Sequence, residues 1–484
     1  MKSNHKMSME EWEDVVLARG EEELRTELLL VDPRPRREMN RMLLEAVQRI
    51  TPGYVIAIAV LALLSFVGLF VAWGFQIRWG MGVAGIRRPV YWGFYIANFV
   101  FWIGISHAGT FVSAILRVFH AEYRRPITRG SEMMTTFALV VAGMYPLIHL
   151  GRTWRFFWML PYPNQRFLWP NFHSPLMWDM TAIFTYLTGS TLYLYMPLLP
   201  DFAMGRDHAT GWRQKLYRIL ALGWRGTEKE WKHLMTGMTI FAFVIIPVMF
   251  SVHTIVSWDF AMTMKVGWHS SIFGPYFVVG AILSGVSAAM GLLIVARKSL
   301  KLDYFIRTEH LESLAVLVLI FSLAWTYFFF NDYLVEWYGG EKIGHELIFL
   351  QAKGPMAPYW YAMLVCNIII PVALLWNKKL RRSSVVLVFV ALMVNVGMYL
   401  ERVIIVTGFL QRNRMPFDWG AYRPSIIEVA IAVGSFATFF LLYFLATRIV
   451  PYVPVWEVHE GQLSHKIVRY GKAAVTAKTH IEAI

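Results

Sequence analysis

Residues 266–296 read VGWHSSIFGPYFVVGAILSGVSAAMGLLIVA, thirty-one positions without one Asp, Glu, Lys or Arg. A helix needs about 20 apolar residues to cross the hydrocarbon core of a bilayer, so this stretch spans with turns to spare. Working outward, stretches equally free of these four residue types cover 53–77, 89–116, 234–258, 354–377 and 383–400. Shorter ones cover 133–151, 180–200, 313–331 and 429–447. The pattern predicts an all-α polytopic membrane protein with ten transmembrane helices, arranged as two four-helix bundles plus two peripheral helices.

The composition agrees. The 484 residues are 57% hydrophobic and 16% charged, where a soluble chain carries roughly 25% charged residues. The net charge of +14 is no nucleic-acid signature, because the basic residues are spread over the connections between apolar segments. The N-terminal tail, the connections after even-numbered segments and the C-terminal tail hold 33 Lys and Arg; the connections after odd-numbered segments hold 12. That asymmetry predicts both termini in the cytoplasm. The first 50 residues are charged and do not read as a cleavable signal peptide.

Along the chain, residues 1–52 form a cytoplasmic tail. Within it 8–32 reads as an amphipathic helix, with Ser8 and Glu11 as a capping box and Trp12, Val15, Val16, Leu24, Leu28 and Leu29 as its apolar stripe. Residues 53–117 form a peripheral helix pair, 131–296 a first four-helix bundle, 310–447 a second, and 448–484 a polar cytoplasmic tail. The external connection 152–176 is dense in aromatics, including Trp154, Trp158 and Trp169. Such density suits an interfacial belt or a face docked on a partner.

Charge near hydrocarbon is expensive, so ionisable residues there are functional candidates. His149 closes the third segment, Asp179 opens the fourth, and His253 and Asp259 close the fifth. Antiparallel neighbours bring these ends to one side of the membrane. Imidazole and carboxylate accept protons near neutral pH, as a hydrophobic quinol would require. Arg152 and Trp258 are candidate supports. The plainer alternative is that the two Asp cap helices or face water. His107, deep in the second segment, is either a step in a proton route or a histidine bonded to a neighbouring helix. With Ser106, Glu132, Tyr145, Tyr186 and Tyr193 it makes a candidate route. Asp332, Glu336, Glu401, Arg402 and Glu428 repeat the pattern in the second half. Glu401 and Arg402 read as an ion pair, with Asp332 and Glu428 as candidate partners.

No pair of histidines at matched depth is visible, which disfavours a b-type haem. Cys366 is the single cysteine, and an iron–sulfur cluster takes several thiolates. No metal, haem or iron–sulfur cluster is therefore expected in this chain.

Three segments carry a family resemblance: HTIVSWDFAMTMKVGWHSSIFGPYFVVGAILSG at 253–285, WIGISHAGTFVSAILRVFH at 102–120 and HLGRTWRFFW at 149–158. They strongly resemble the large NrfD/PsrC-like membrane subunit of bacterial alternative complex III, the ActC type. The resemblance covers nearly the whole chain. It implies menaquinol oxidation near the outer surface, with the family's His and two Asp falling on His149, Asp179 and Asp259. It implies an ActB-like iron–sulfur subunit, c-type cytochrome subunits and a second, ActF-like membrane subunit as partners, together with lipids, and proton translocation coupled to the redox step. Two other readings stand beside it: a membrane anchor of a molybdoenzyme such as polysulfide reductase, and a secondary ion transporter. The transporter is disfavoured because its site would lie at mid-membrane on broken helices.

Overall fold

The computed structural model describes residues 35–160, 175–412, 415–470 and 473–478. The helix expected over 8–32 and Trp169 of the external connection lie outside them.

Among the described residues nine helices are long and apolar enough to cross a membrane: α1 (Pro52–Trp79), α2 (Phe94–Val118), α3 (Thr128–His149), α5 (Glu228–Ala261), α6 (Phe273–Leu300), α7 (Thr308–Gly339), α8 (Ala357–Leu375), α9 (Ser384–Gln411) and α10 (Ile426–Ala446). The expected tenth forms as α4 (Pro175–Tyr195). Thr181, Thr185, Thr188, Ser190 and Thr191 dilute its hydropathy. Thr181 and Thr185 donate their hydroxyls to the carbonyls four residues earlier, which satisfies them within the helix.

The helices group differently from the expectation. α2 is not peripheral: it packs on α3, α6, α9 and α10, and 94% of its most apolar stretch is buried. α2 to α5 form one bundle and α6 to α9 the other, with α2 against α6 as the seam. The peripheral pair is α1 with α10, and α1 is buried over only 22% of its apolar stretch. Side-chain size explains the exchange. α2 carries Gly104, Ser106, Ala108 and Gly109, and a Cβ on the facing Gly285 of α6 would stand 2.8 Å from the Ala108 backbone nitrogen. Lipid offers no hydrophobic drive between helices, so close backbone approach over small residues selects the partners. The same logic joins α1 to α10, where a Cβ on Gly68 would meet Gly434 at 2.5 Å.

Four of the described spans contain a widened turn: Phe66–Ala72, Thr110–Ile115, Val365–Ile369 and Ile404–Gly408. The one in α8 precedes Pro371, which has no N–H for the Asn367 carbonyl. Ser322 of α7 donates its hydroxyl to that carbonyl at 2.5 Å.

The C-terminal segment is more than a peripheral tail. Tyr452, Val453, Val455, Trp456 and Glu457 are all buried. Beyond helix Val455–Ser464 an antiparallel hairpin pairs His465–Tyr470 with Ala473–Lys478.

Candidate functional site

Asp179 and Asp259 meet. They lie near the ends of α4 and α5, both about 95% buried, within hydrogen-bond reach of each other. Each keeps one oxygen, Oδ1, with no partner. No cation pairs with either among the described residues. Each Asp follows a tryptophan, and the Trp178 and Trp258 rings meet edge to face at 6.3 Å. Sequence reading named Trp258 and missed Trp178, although the repeated Trp-Asp dipeptide at 178–179 and 258–259 was visible.

His149 ends α3 at the same face. Its ring lies 6.3 Å from that of Tyr95, and its Nδ1 is buried without a partner. Tyr95 donates to the Gln76 side chain, and Gln76 Nε2 donates to the Ile148 carbonyl at 2.8 Å. Gln76 thus ties α1 to the backbone beside His149. It too was missed, though it is the one amide side chain in 53–77. Arg152 is exposed in the following turn.

His253 does not join the Asp pair. It sits six residues earlier in α5, about 9 Å along the axis, and its ring meets that of His107 at 4.7 Å. The two are at matched depth after all, contrary to the expectation. The rings touch edge to face, so no macrocycle plane fits between them. His107 has a carbonyl at each nitrogen, Ile103 O at 2.8 Å and Met249 O at 3.1 Å; His253 has no partner at either nitrogen.

Most of the candidate route forms a column inside the first bundle. The widened turn of α2 frees backbone groups there. Thr135 donates to the Ser106 carbonyl at 2.5 Å and accepts from the Gly109 amide at 2.8 Å. Tyr186 lies 3.2 Å from the same carbonyl and 2.8 Å from the Thr110 hydroxyl. Toward the basic end Ser113 donates to Glu132, with Tyr193 3.5 Å from Ser113. Tyr145 is elsewhere: it faces α10 and donates to Ser435 at 2.7 Å.

In the second bundle Asp332 accepts from Ser270 at 2.8 Å, and Glu401 accepts from Trp325 at 2.9 Å. Glu336 shares a small cavity with Asp332. Glu401 and Arg402 pair at 3.5 Å as expected, and Arg402 stacks on Phe277. Glu428 is no partner of theirs. It caps α10, accepting from Ser425 N, Gly85 N and the Tyr422 hydroxyl, and so pins the α1–α2 connection.

At the basic end an arginine cluster escaped sequence reading. Glu457 pairs with Arg124 at 2.9 Å and Arg117 at 3.7 Å, while Arg125 holds the Glu457 carbonyl. Asp201 pairs with buried Arg129 at 2.8 Å. Among the described residues no three His, Cys, Asp or Glu side chains gather as a metal ligand set.

Fold and site together define an integral membrane protein of two four-helix bundles with an uncompensated carboxyl pair at one face. The family model for polysulphide reductase, NrfD, matches residues 82–412, and the chain belongs to that family. It is 25% identical to a putative dimethyl sulfoxide reductase membrane subunit of Halobacterium salinarum, over 81% of this chain and 90% of the relative. It is 21% identical to a selenate reductase subunit of Mesobacillus selenatarsenatis, over 82% and 93%. It is 20% identical to the Hdr-like menaquinol oxidoreductase integral membrane subunit of Archaeoglobus fulgidus, over 84% and 95%.

Proposed function

We propose that this chain is the quinol-binding membrane subunit of a quinol:electron-acceptor oxidoreductase, of the alternative complex III type. The observation that carries this reading is the buried Asp179–Asp259 pair with no cation beside it. Oxidising a quinol releases two protons and two electrons. Each aspartate has a free oxygen to accept a hydroxyl hydrogen, and His149 stands at the same face as a further acceptor. Trp178 and Trp258 provide flat apolar walls for a ring. The electrons leave to an iron–sulfur subunit docked on the exposed aromatics of that face, Trp79, Tyr91 and Trp154 among them, and then pass to c-type cytochromes. The menaquinol oxidoreductase name of the Archaeoglobus relative favours menaquinol as substrate. The orientation follows from the Lys and Arg asymmetry, with both termini cytoplasmic in a bacterial inner membrane.

The second reading is a molybdoenzyme anchor running the same proton chemistry in the quinol-oxidising direction toward a reductase. The dimethyl sulfoxide and selenate reductase names of two relatives favour it. Purification of the intact complex separates the two: c-type cytochromes support the first, a molybdopterin subunit the second. Asp179→Asn with Asp259→Asn tests the site itself. The amide keeps the shape but takes no proton, so quinol oxidation in the assembled complex falls at least about 100-fold. Wild-type turnover in that double variant would sink the assignment.

The column from Glu132 to His107 supports a proton route from the cytoplasmic side toward the quinol site. It is the structural basis on which we propose that the redox step drives translocation.

A further inference from the structure

We infer that a groove between the basic ends of α1, α6 and α10 binds an anionic phospholipid of that leaflet. The groove is a cavity of about 310 Å³. That is enough for a headgroup and the first part of an acyl chain. Its composition is graded along the membrane normal. The part that runs between the spans is lined by Ala57, Leu292 and Val295; the part at the helix ends is lined by Thr51, Ser299 and Arg448. A soluble metabolite has no use for the first, and a free hydrocarbon none for the second.

Arg448 decides the sign of the charge. Its Nη1 donates to the Ala46 carbonyl at 2.9 Å, and its guanidinium lies over the Tyr54 ring at 4.2 Å. The Tyr54 hydroxyl donates to Phe444 O at 3.2 Å, so the ring beneath the cation is fixed. Yet Arg448 Nε has no acceptor, and the cation has no carboxylate partner among the described residues. The neighbouring acids are engaged elsewhere: Asp303 pairs with Arg297 at 2.9 Å and Glu45 with Arg41 at 2.8 Å. Exposed Arg49, Lys298 and Lys301 flank the lining residues and add positive charge. A half-buried guanidinium without a carboxylate suits a phosphate oxygen. At this depth, against an apolar wall open to lipid, the phosphate belongs to a phospholipid.

The test uses the protein in the complex with which it is extracted, placed in lipid nanodiscs containing spin-labelled phosphatidylglycerol or spin-labelled phosphatidylcholine. Electron paramagnetic resonance reads the immobilised fraction of each. The wild type immobilises phosphatidylglycerol in preference. Arg448→Gln keeps a donor for Ala46 but removes the charge, and lowers that preference about fivefold. This is the attraction of one basic side chain to anionic lipid, about 1 kcal/mol. Val295→Trp fills the groove from its lipid-exposed side and removes the same preference for phosphatidylglycerol, with Arg448 intact. Thermal midpoints of both variants check folding. An Arg448→Gln variant that keeps the phosphatidylglycerol preference overturns the inference. So does a Val295→Trp variant that sheds a protein subunit or a co-purifying quinone rather than phospholipid.

Discussion

The first bundle buries acids at both ends and treats them oppositely. At the basic end Glu457 lies among Arg117, Arg124, Arg125 and Arg129. At the other end Asp179 and Asp259 lie against each other with no cation. The arginines make Glu457 a clamp: it locks the C-terminal segment to the α2–α3 connection, and its charge is permanent over the working pH range. The aspartates are free of such a lock, as the proposed proton chemistry requires. A buried acid becomes structural when charge surrounds it and chemical when charge is withheld.

The largest effect that separates the ends is on stability. Glu457→Leu strands Arg117 and Arg124 in a buried site, which costs roughly 3–5 kcal/mol. Asp259→Asn strands no charge, and its cost is about 1 kcal/mol or less. Thermal unfolding of both variants in the same detergent measures this. Equal losses would erase the distinction between the two ends.

A smaller effect comes with acid. Burial pushes the Glu457 carboxyl up, but Arg124, Arg117, Arg125 and Arg129 outweigh it and hold the group below the ordinary glutamate range. A depressed carboxyl stabilises the fold fully above its unfolded pKa, about 4.3, and loses that contribution as pH falls through its lower folded value. The stability gap between wild type and Glu457→Leu is therefore constant from pH 7 to about 5 and closes below about pH 4. A gap that closes already near pH 6 would show that the arginines do not govern this glutamate.

How much of this was legible beforehand follows the same division. The apolar stretches gave ten helices, and α4 was found despite its threonines because 180–200 holds no Asp, Glu, Lys or Arg. Chain order misled the grouping. Neighbours in sequence were expected to share a bundle from α3 onward, whereas Gly104, Ala108 and Gly285 put α2 at the seam. The contrast between the small residues of α2 and the bulky Leu, Val and Phe of α1 was available to be read. Asp179 and Asp259 were legible because an acid beside an apolar stretch is conspicuous. The roles of Glu428, Tyr145 and Glu457 were not, because their partners Gly85, Ser435 and Arg124 are more than 280 residues away in sequence.

The smallest effect concerns what joins the two ends. His107 has a carbonyl acceptor at each nitrogen. A neutral imidazole carries one N–H and can donate to only one of them; the imidazolium donates to both. His253, in ring contact and without partners of its own, can take up or return a proton only through water or through His107. On the proposed route the pair lies between Glu132 and the aspartates. His107→Phe leaves Asp179, Asp259 and His149 untouched, so electron transfer falls no more than a few-fold. If the column carries protons, release measured in sealed vesicles drops to the one proton per electron that quinol oxidation itself supplies. A variant with an unchanged ratio makes His107 a packing residue, and the two ends of the bundle then work without exchanging protons.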